Sequence, residues 1–283
     1  MSAIAKSTKR RLIAGATAAV GTAAAITAFA VAGTANAADS AASGKWAKPT
    51  IVLEHGAFAD GSSWNGVIEK LRHDGYPVIA AANPLRGPAS DAAQLRTVVS
   101  HVKGPVILVG HSYGGSVITE AGADDPQVKG LVYVAAFLPE AGETALQLTN
   151  QFPGSTLPGT LDPVPYTDAD GSTGTDLYIQ QDKFPHQFAA DVNPKDAALA
   201  AVTQRPIAQA ALEEKETGPV AWAQKPSWDV VTTEDLNIPA AAQRFMAQRA
   251  GAHVTEVAAS HSVAVSHPGL VADVIEKAAR ATR

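Results

Sequence analysis

The sequence predicts an α/β protein: about six parallel strands in one sheet, with helices on both faces. Three observations predict it. Short apolar runs of the buried-strand kind recur along the chain, and segments with helical spacing of apolar residues separate them. One run, Pro105-Val106-Ile107-Leu108-Val109, passes straight into Gly110-His111-Ser112-Tyr113-Gly114-Gly115, and a helix-like segment follows from Ser116 to Ala121. The chain, at 283 residues, is long enough to bury one full core.

The start of the chain reads as an export signal, not as part of that core. Lys6, Lys9, Arg10 and Arg11 form a basic head, Leu12 to Gly33 is an uncharged run, and Ala35-Asn36-Ala37 offers small residues for cleavage. This pattern predicts a signal peptide over residues 1–37, a secreted protein and a mature domain over 38–283. The competing reading is a membrane anchor, which the weak hydropathy of the run disfavours. Arg10-Arg11 fits a twin-arginine route only loosely. The whole chain has 22 basic and 27 acidic side chains and a net charge of −5. Residues 1–37 hold four basic and no acidic groups, so their removal takes the net charge to −9. Such a surface argues against nucleic acid, and against an anionic membrane, as partners of the mature form. The chain has no cysteine, so neither disulfides nor thiolate metal sites are available to it.

Ala38 to Lys48 is small and polar and reads as a lead-in. Thr50 to Leu53 is the first strand. Ser62 or Ser63 is the expected cap of a helix to His73, with Trp64, Val67, Ile68 and Leu71 on its apolar side. Gly75-Tyr76-Pro77 turns into a strand over Val78–Ala82, and Ala89 to Val102 is the next helix. After the central run and its helix comes a strand over Leu131–Phe137. The rhythm then breaks. About residues 139–225 are rich in Pro, Gly, Thr and Asp, with helix candidates at Ala189–Val202 and Ile207–Glu214 and no evident strand. A stretch that long is not a plain loop and predicts a separate lid insertion. The alternation resumes with a strand over Trp228–Thr232, a helix over Ala240–Ala250, a strand over Val254–Ala258 and a last helix after Pro268.

The chemistry centres on Ser112. A serine between a strand and a helix, with glycine two places to either side, is the pattern of a nucleophile elbow. Its backbone is tight enough that side chains at Gly110 and Gly114 would collide. A serine nucleophile needs a base, and among eight histidines His261 stands just beyond the last strand, on the same sheet edge as Ser112. His253 begins that strand and so falls at the opposite edge. The base needs a carboxylate to orient it. Glu234 and Asp235 both follow the strand ending at Thr232; Asp235 is the candidate and Glu234 reads as a solvated loop charge. Backbone N–H groups of Tyr113 and Ala57 are the candidate oxyanion donors, with Gly56 allowing a close approach. His55 reads as a structural histidine, and His111 as a residue that merely fills a variable place in the turn.

These motifs carry a resemblance. With His55-Gly56-Ala57, the downstream Gly61 and Trp64, the elbow, Thr233-Glu234-Asp235 and Ser260-His261, the chain resembles α/β-hydrolases. Within them it is most similar to the small single-domain branch of plant methyl esterases and hydroxynitrile lyases. The resemblance covers about residues 50–281. It implies an α/β-hydrolase fold with a mostly helical lid. It also implies catalytic residues at Ser112, Asp235 and His261, donors at Ala57 and Tyr113, and cleavage of a small-molecule ester without metal or cofactor. A carbon–carbon lyase on the same three residues and a slow-turnover binding protein are the alternatives. The lyases of this branch tend to carry a hydroxyl side chain where Gly56 stands and a lysine where Ser262 stands, so the resemblance favours hydrolysis. Glu54 departs from the family's usual apolar residue at that place.

Overall fold

The computed structural model describes residues 48–282; the expected export segment, residues 1–37, lies outside the described residues. In chain order the elements are β1 (Thr50–Glu54), α1 (Asn65–His73), β2 (Val78–Ala81), α2 (Pro88–Ser100), β3 (Val106–His111), α3 (Gly114–Ala121) and β4 (Val128–Val134). An insertion then carries α4 (Ala145–Asn150), β5 (Leu161–Thr167), β6 (Thr173–Ile179), α5 (Phe184–Phe188), α6 (Pro194–Thr203), β7 (Ile207–Ala208) and α7 (Gln209–Glu213). The chain closes with β8 (Ser227–Thr232), α8 (Ala240–Arg249), β9 (His253–Val257), α9 (Val263–Ser266) and α10 (Pro268–Ala281).

Six strands form one parallel sheet in the order β2-β1-β3-β4-β8-β9. Alternate side chains of a strand face opposite sides, so a strand covered on both faces must be apolar throughout. Strand β3 shows this. Val106 and Leu108 pack with Leu95, Val99, Val117 and Ile118 of α2 and α3. Ile107 and Val109 join the opposite cluster, which holds Val67 and Leu71 of α1 and Val271 and Ile275 of α10. The outer strands β2 and β9 are partly exposed, as edges are.

The helix after β1 is capped differently from the sequence expectation. Neither Ser62 nor Ser63 caps α1, which starts without a side-chain cap; Asp60 caps the short 3-10 turn that leads into it, its carboxylate accepting from the Ser62 N–H at 2.7 Å. The insertion also differs. Besides its helices it contains a three-stranded antiparallel sheet, β5-β6-β7, so it is not strand-free. Strand β5 reads Leu-Asp-Pro-Val-Pro-Tyr-Thr and is largely exposed. Two prolines and no apolar alternation hide it from pattern reading, and its place at a sheet edge is what makes the prolines tolerable. The insertion is tied to the core by Arg86 Nη1 to Asp176 Oδ1 at 2.8 Å, Phe58 N–H to Arg205 O at 2.9 Å and Ala208 N–H to Leu85 O at 3.0 Å.

Candidate active site

The carboxyl ends of β3, β8 and β9 meet under the insertion. Ser112 follows β3 with φ +55°, the left-handed region that ordinary side chains avoid. The turn is held by Gly115 N–H to Ser112 O at 2.9 Å and Phe137 N–H to the same oxygen at 3.1 Å. A Cβ on Gly110 would lie 2.5 Å from the Gly114 carbonyl, the collision across the turn that the sequence anticipates. A Cβ on Gly114 would instead strike the Glu54 carbonyl at 2.5 Å, so that glycine lets α3 approach β1. Gly56 also lies against the turn: its Cβ would be 2.6 Å from Ser112 Cβ.

The structure brings Ser112, His261 and Asp235 into one hydrogen-bonded chain. Ser112 Oγ is 2.8 Å from His261 Nε2, and His261 Nδ1 is 2.7 Å from Asp235 Oδ2. A carboxylate only accepts, so His261 Nδ1–H donates to Asp235 and the bare Nε2 faces the Ser112 hydroxyl. All three side chains are buried. Glu234, the rival acid, is exposed.

Asp235 is enclosed by donors. Oδ1 accepts from Asn237 N–H at 2.7 Å and Ile238 N–H at 3.0 Å. Oδ2 accepts from Thr232 Oγ1 and Gln243 Nε2, each at 3.0 Å, as well as from His261. Gln243 is fully buried on α8, and its amide also donates to the Ile238 carbonyl at 2.8 Å and accepts from Thr232 N–H at 3.0 Å. Sequence reasoning passed over Gln243 and Thr232, because neither stands in a motif.

Ala57 and Tyr113 border the same cavity as Ser112 and His261. Among the described residues, no hydrogen bond takes the backbone N–H of either. The loop that carries Ala57 is fixed by His55, whose Nδ1–H donates to the Gly56 carbonyl at 2.9 Å while Nε2 accepts from Asn83 N–H at 3.1 Å. Burial lowers the His55 pKa, consistent with a neutral ring in that role.

His111 does more than fill a variable place. Its Nε2–H donates to the backbone carbonyl of His261 at 2.9 Å, and the two rings lie 4.8 Å apart. Burial, with His261 adding to it, pushes the His111 ring down to about 3, so it stays neutral. The His261 loop is held from its other side by the insertion: Ser262 Oγ donates to the Phe188 carbonyl at 2.8 Å, and Ser260 Oγ donates to Asp191.

Glu54 is buried at the end of β1 with Oε2 unpartnered. Burial, and then the charge of Asp91, push it up to about 8, so below that pH it is a neutral acid, and among the described residues it has no basic partner. Asp91 in turn accepts from the Tyr113 hydroxyl at 2.8 Å.

The cavity at Ser112 has a volume of about 70 Å³ and is walled largely by apolar side chains, among them Phe58, Phe137, Leu157, Phe188, Leu212 and Ile238. Among the described residues, no group of three or more histidine or acidic side chains is arranged to hold a metal ion. What the arrangement can do chemically is activate a serine hydroxyl toward a carbonyl beside two unused backbone donors.

Comparison with known proteins identifies the family and agrees with the fold. The model of the alpha/beta hydrolase family matches residues 51–274. The chain is 26% identical over 255 residues to the alpha/beta hydrolase nvfD of Aspergillus novofumigatus, covering 82% of this chain and 97% of that protein. It is 27% identical over 222 residues to putative methylesterase 13, chloroplastic, of Arabidopsis thaliana, covering 69% of this chain and 48% of that one. The crystal structure of a pyrethroid hydrolase from Sphingobium faniae JZ-2 superposes with a TM-score of 0.68 at 22% identity, over 82% of this chain and 98% of the other. That last likeness is one of fold.

Proposed function

From the premise that this chain belongs to the α/β-hydrolase family, and is related within it to plant methyl esterases, we propose that it is a serine hydrolase of small carboxylic esters. The observation that carries the reading is the chain of hydrogen bonds from Ser112 through His261 to Asp235, beside the unused amides of Ala57 and Tyr113. Ser112 Oγ attacks the ester carbonyl carbon as its proton passes to His261 Nε2. The carbonyl oxygen becomes an oxyanion held by the two N–H groups. Collapse expels the alcohol, which takes the proton from His261 and leaves an acyl group on Ser112. Water, deprotonated by the same nitrogen, then attacks the acyl carbon and releases the acid. Asp235 holds the tautomer and stabilises the imidazolium formed in each transition state.

The test is chemical. A fluorophosphonate should label Ser112, and Ser112→Ala should lose ester turnover while keeping its thermal midpoint. An adduct elsewhere, with full activity in the variant, would overturn the assignment. We further propose that the protein is exported and cut after Ala37, on the strength of the basic head, the apolar run and Ala35-Asn36-Ala37. Sequencing the amino terminus of secreted material checks this, and membrane-bound protein that keeps Leu12 to Gly33 would refute it.

A further inference from the structure

The chamber at Ser112 is small. It encloses about 70 Å³, where sites for drug-sized ligands enclose roughly 300–1,000 Å³. A short arm fits there, and a second arm of any size must lie elsewhere. A larger space stands behind one aromatic wall. It is a cleft of about 440 Å³ between the core, at Ala59, Gly66, Ser262 and Val265, and the insertion, at Phe184 and Leu199. Phe58 and Phe188 line both spaces. Their rings meet edge to face, with centroids 6.1 Å apart at 85°. Leu199 is 63% exposed and Val265 42%, so the cleft presents large apolar side chains to solvent.

We propose that this cleft is the subsite for the alcohol arm of the ester, and that Phe58 and Phe188 divide it from a chamber that accepts only a short acyl arm. The proposal rests on the esterase reading above. Proton transfer sets the direction. His261 must hand its proton to the leaving oxygen, so the alcohol departs on the His261 side of Ser112. His261 lines the chamber, the Phe188 ring lies 4.9 Å from its ring, and Ser262, the next residue, lines the cleft beyond Phe188. The backbone of Phe58 has φ +61° and its N–H donates to Arg205 O, so a path between the two spaces would open by a turn of a ring and not of the loop. Asp60 and Asp196 line the cleft and no lysine or arginine does, which disfavours a carboxylate-bearing arm. The substrate class is therefore short-chain acyl esters of a sizeable, apolar, uncharged alcohol.

Two ester series separate the subsites: acetates of alcohols growing from methyl to naphthylmethyl, and methyl esters of acids growing from acetic to octanoic. Acid release is followed by titration for the wild type, Leu199→Asp and, as a milder change at the same exposed place, Leu199→Gln. We expect the wild type to favour the large acetates and to fail with long acyl chains. Leu199→Asp should lower the ratio of kcat/KM for naphthylmethyl acetate over methyl acetate about tenfold, and Leu199→Gln should lower it less. An unchanged ratio in both variants, or preference for long acyl chains, overturns the subsite and leaves the esterase reading standing. Turnover of no ester in either series by the wild type overturns both.

Discussion

Replacing Asp235 with asparagine tests the site most sharply, because every partner of this carboxylate is a donor. An asparagine must put its NH₂ group where one oxygen now stands. At Oδ1 it would face the N–H groups of Asn237 and Ile238. Two buried amides would then lose their acceptor, at about 1–3 kcal/mol each, or about 2–6 kcal/mol together. At Oδ2 it would face His261 Nδ1, Thr232 Oγ1 and Gln243 Nε2. There the hydroxyl can rotate and the imidazole can change tautomer, so only the Gln243 amide is left opposed. The second orientation is the cheaper one. It turns His261 Nδ1 into an acceptor and moves the ring proton to Nε2, the atom that must take the proton of Ser112. We expect kcat to fall by about 10⁴, as the equivalent change does in a serine protease, or about 5 kcal/mol of transition-state stabilisation. The assay is steady-state hydrolysis of a short aryl ester, with circular dichroism to show a folded variant. Glu234→Gln, on an exposed side chain, should leave kcat within about twofold of wild type. Less than tenfold loss in Asp235→Asn, or a larger loss in Glu234→Gln, would refute the reasoning.

Two further predictions follow from the surroundings of the site. Burial and then Asp91 push Glu54 up to about 8, and burial, then Glu120 and Glu214, push Glu216 up to about 9; a solvated glutamate titrates near 4.3. These two groups therefore hold more protons in the folded chain than in the unfolded chain between about pH 4 and pH 9 and make stability fall as pH rises; below about pH 6.5 the neutral rings of His55 and His111 act in the opposite sense, so the fall shows above that pH. The thermal midpoint should drop between about pH 7 and pH 9, and Glu216→Gln should flatten the drop, by about 2–4 °C for each kcal/mol recovered; an equally steep decline in the variant would count against it. Gly56→Ala puts a methyl group 2.6 Å from Ser112 Cβ and 2.7 Å from the His111 carbonyl, so the loop that presents the Ala57 N–H must move. Kinetics should show kcat down about 10²-fold with a smaller change in KM; a wild-type kcat would remove Ala57 from the oxyanion site.

The sequence by itself determined what depends on neighbours along the chain. A β3 that packs on both faces is apolar from Val106 to Val109, and a serine turn at its end must be flanked by glycine. The strand, Ser112, Gly110 and Gly114 are therefore legible as one local pattern. His261 and Asp235 are legible because a parallel sheet sends the ends of its strands to one edge, so position after a strand stands in for position in space. Tertiary structure alone decided the rest. Asp235 and Glu234 are adjacent in sequence and alike in chemistry; burial against His261 separates them. Gln243, from α8, reaches Asp235 across a helix packing that no motif encodes. His111 lies 150 residues before the carbonyl it holds. Glu54 stands out in the sequence only as a departure from the family's usual apolar residue, and in the fold it is a buried acid raised to about 8, because ionisation depends on the medium around a side chain and not on its name. Strand β5, with two prolines, becomes a strand only because β6 supplies the partner for its backbone.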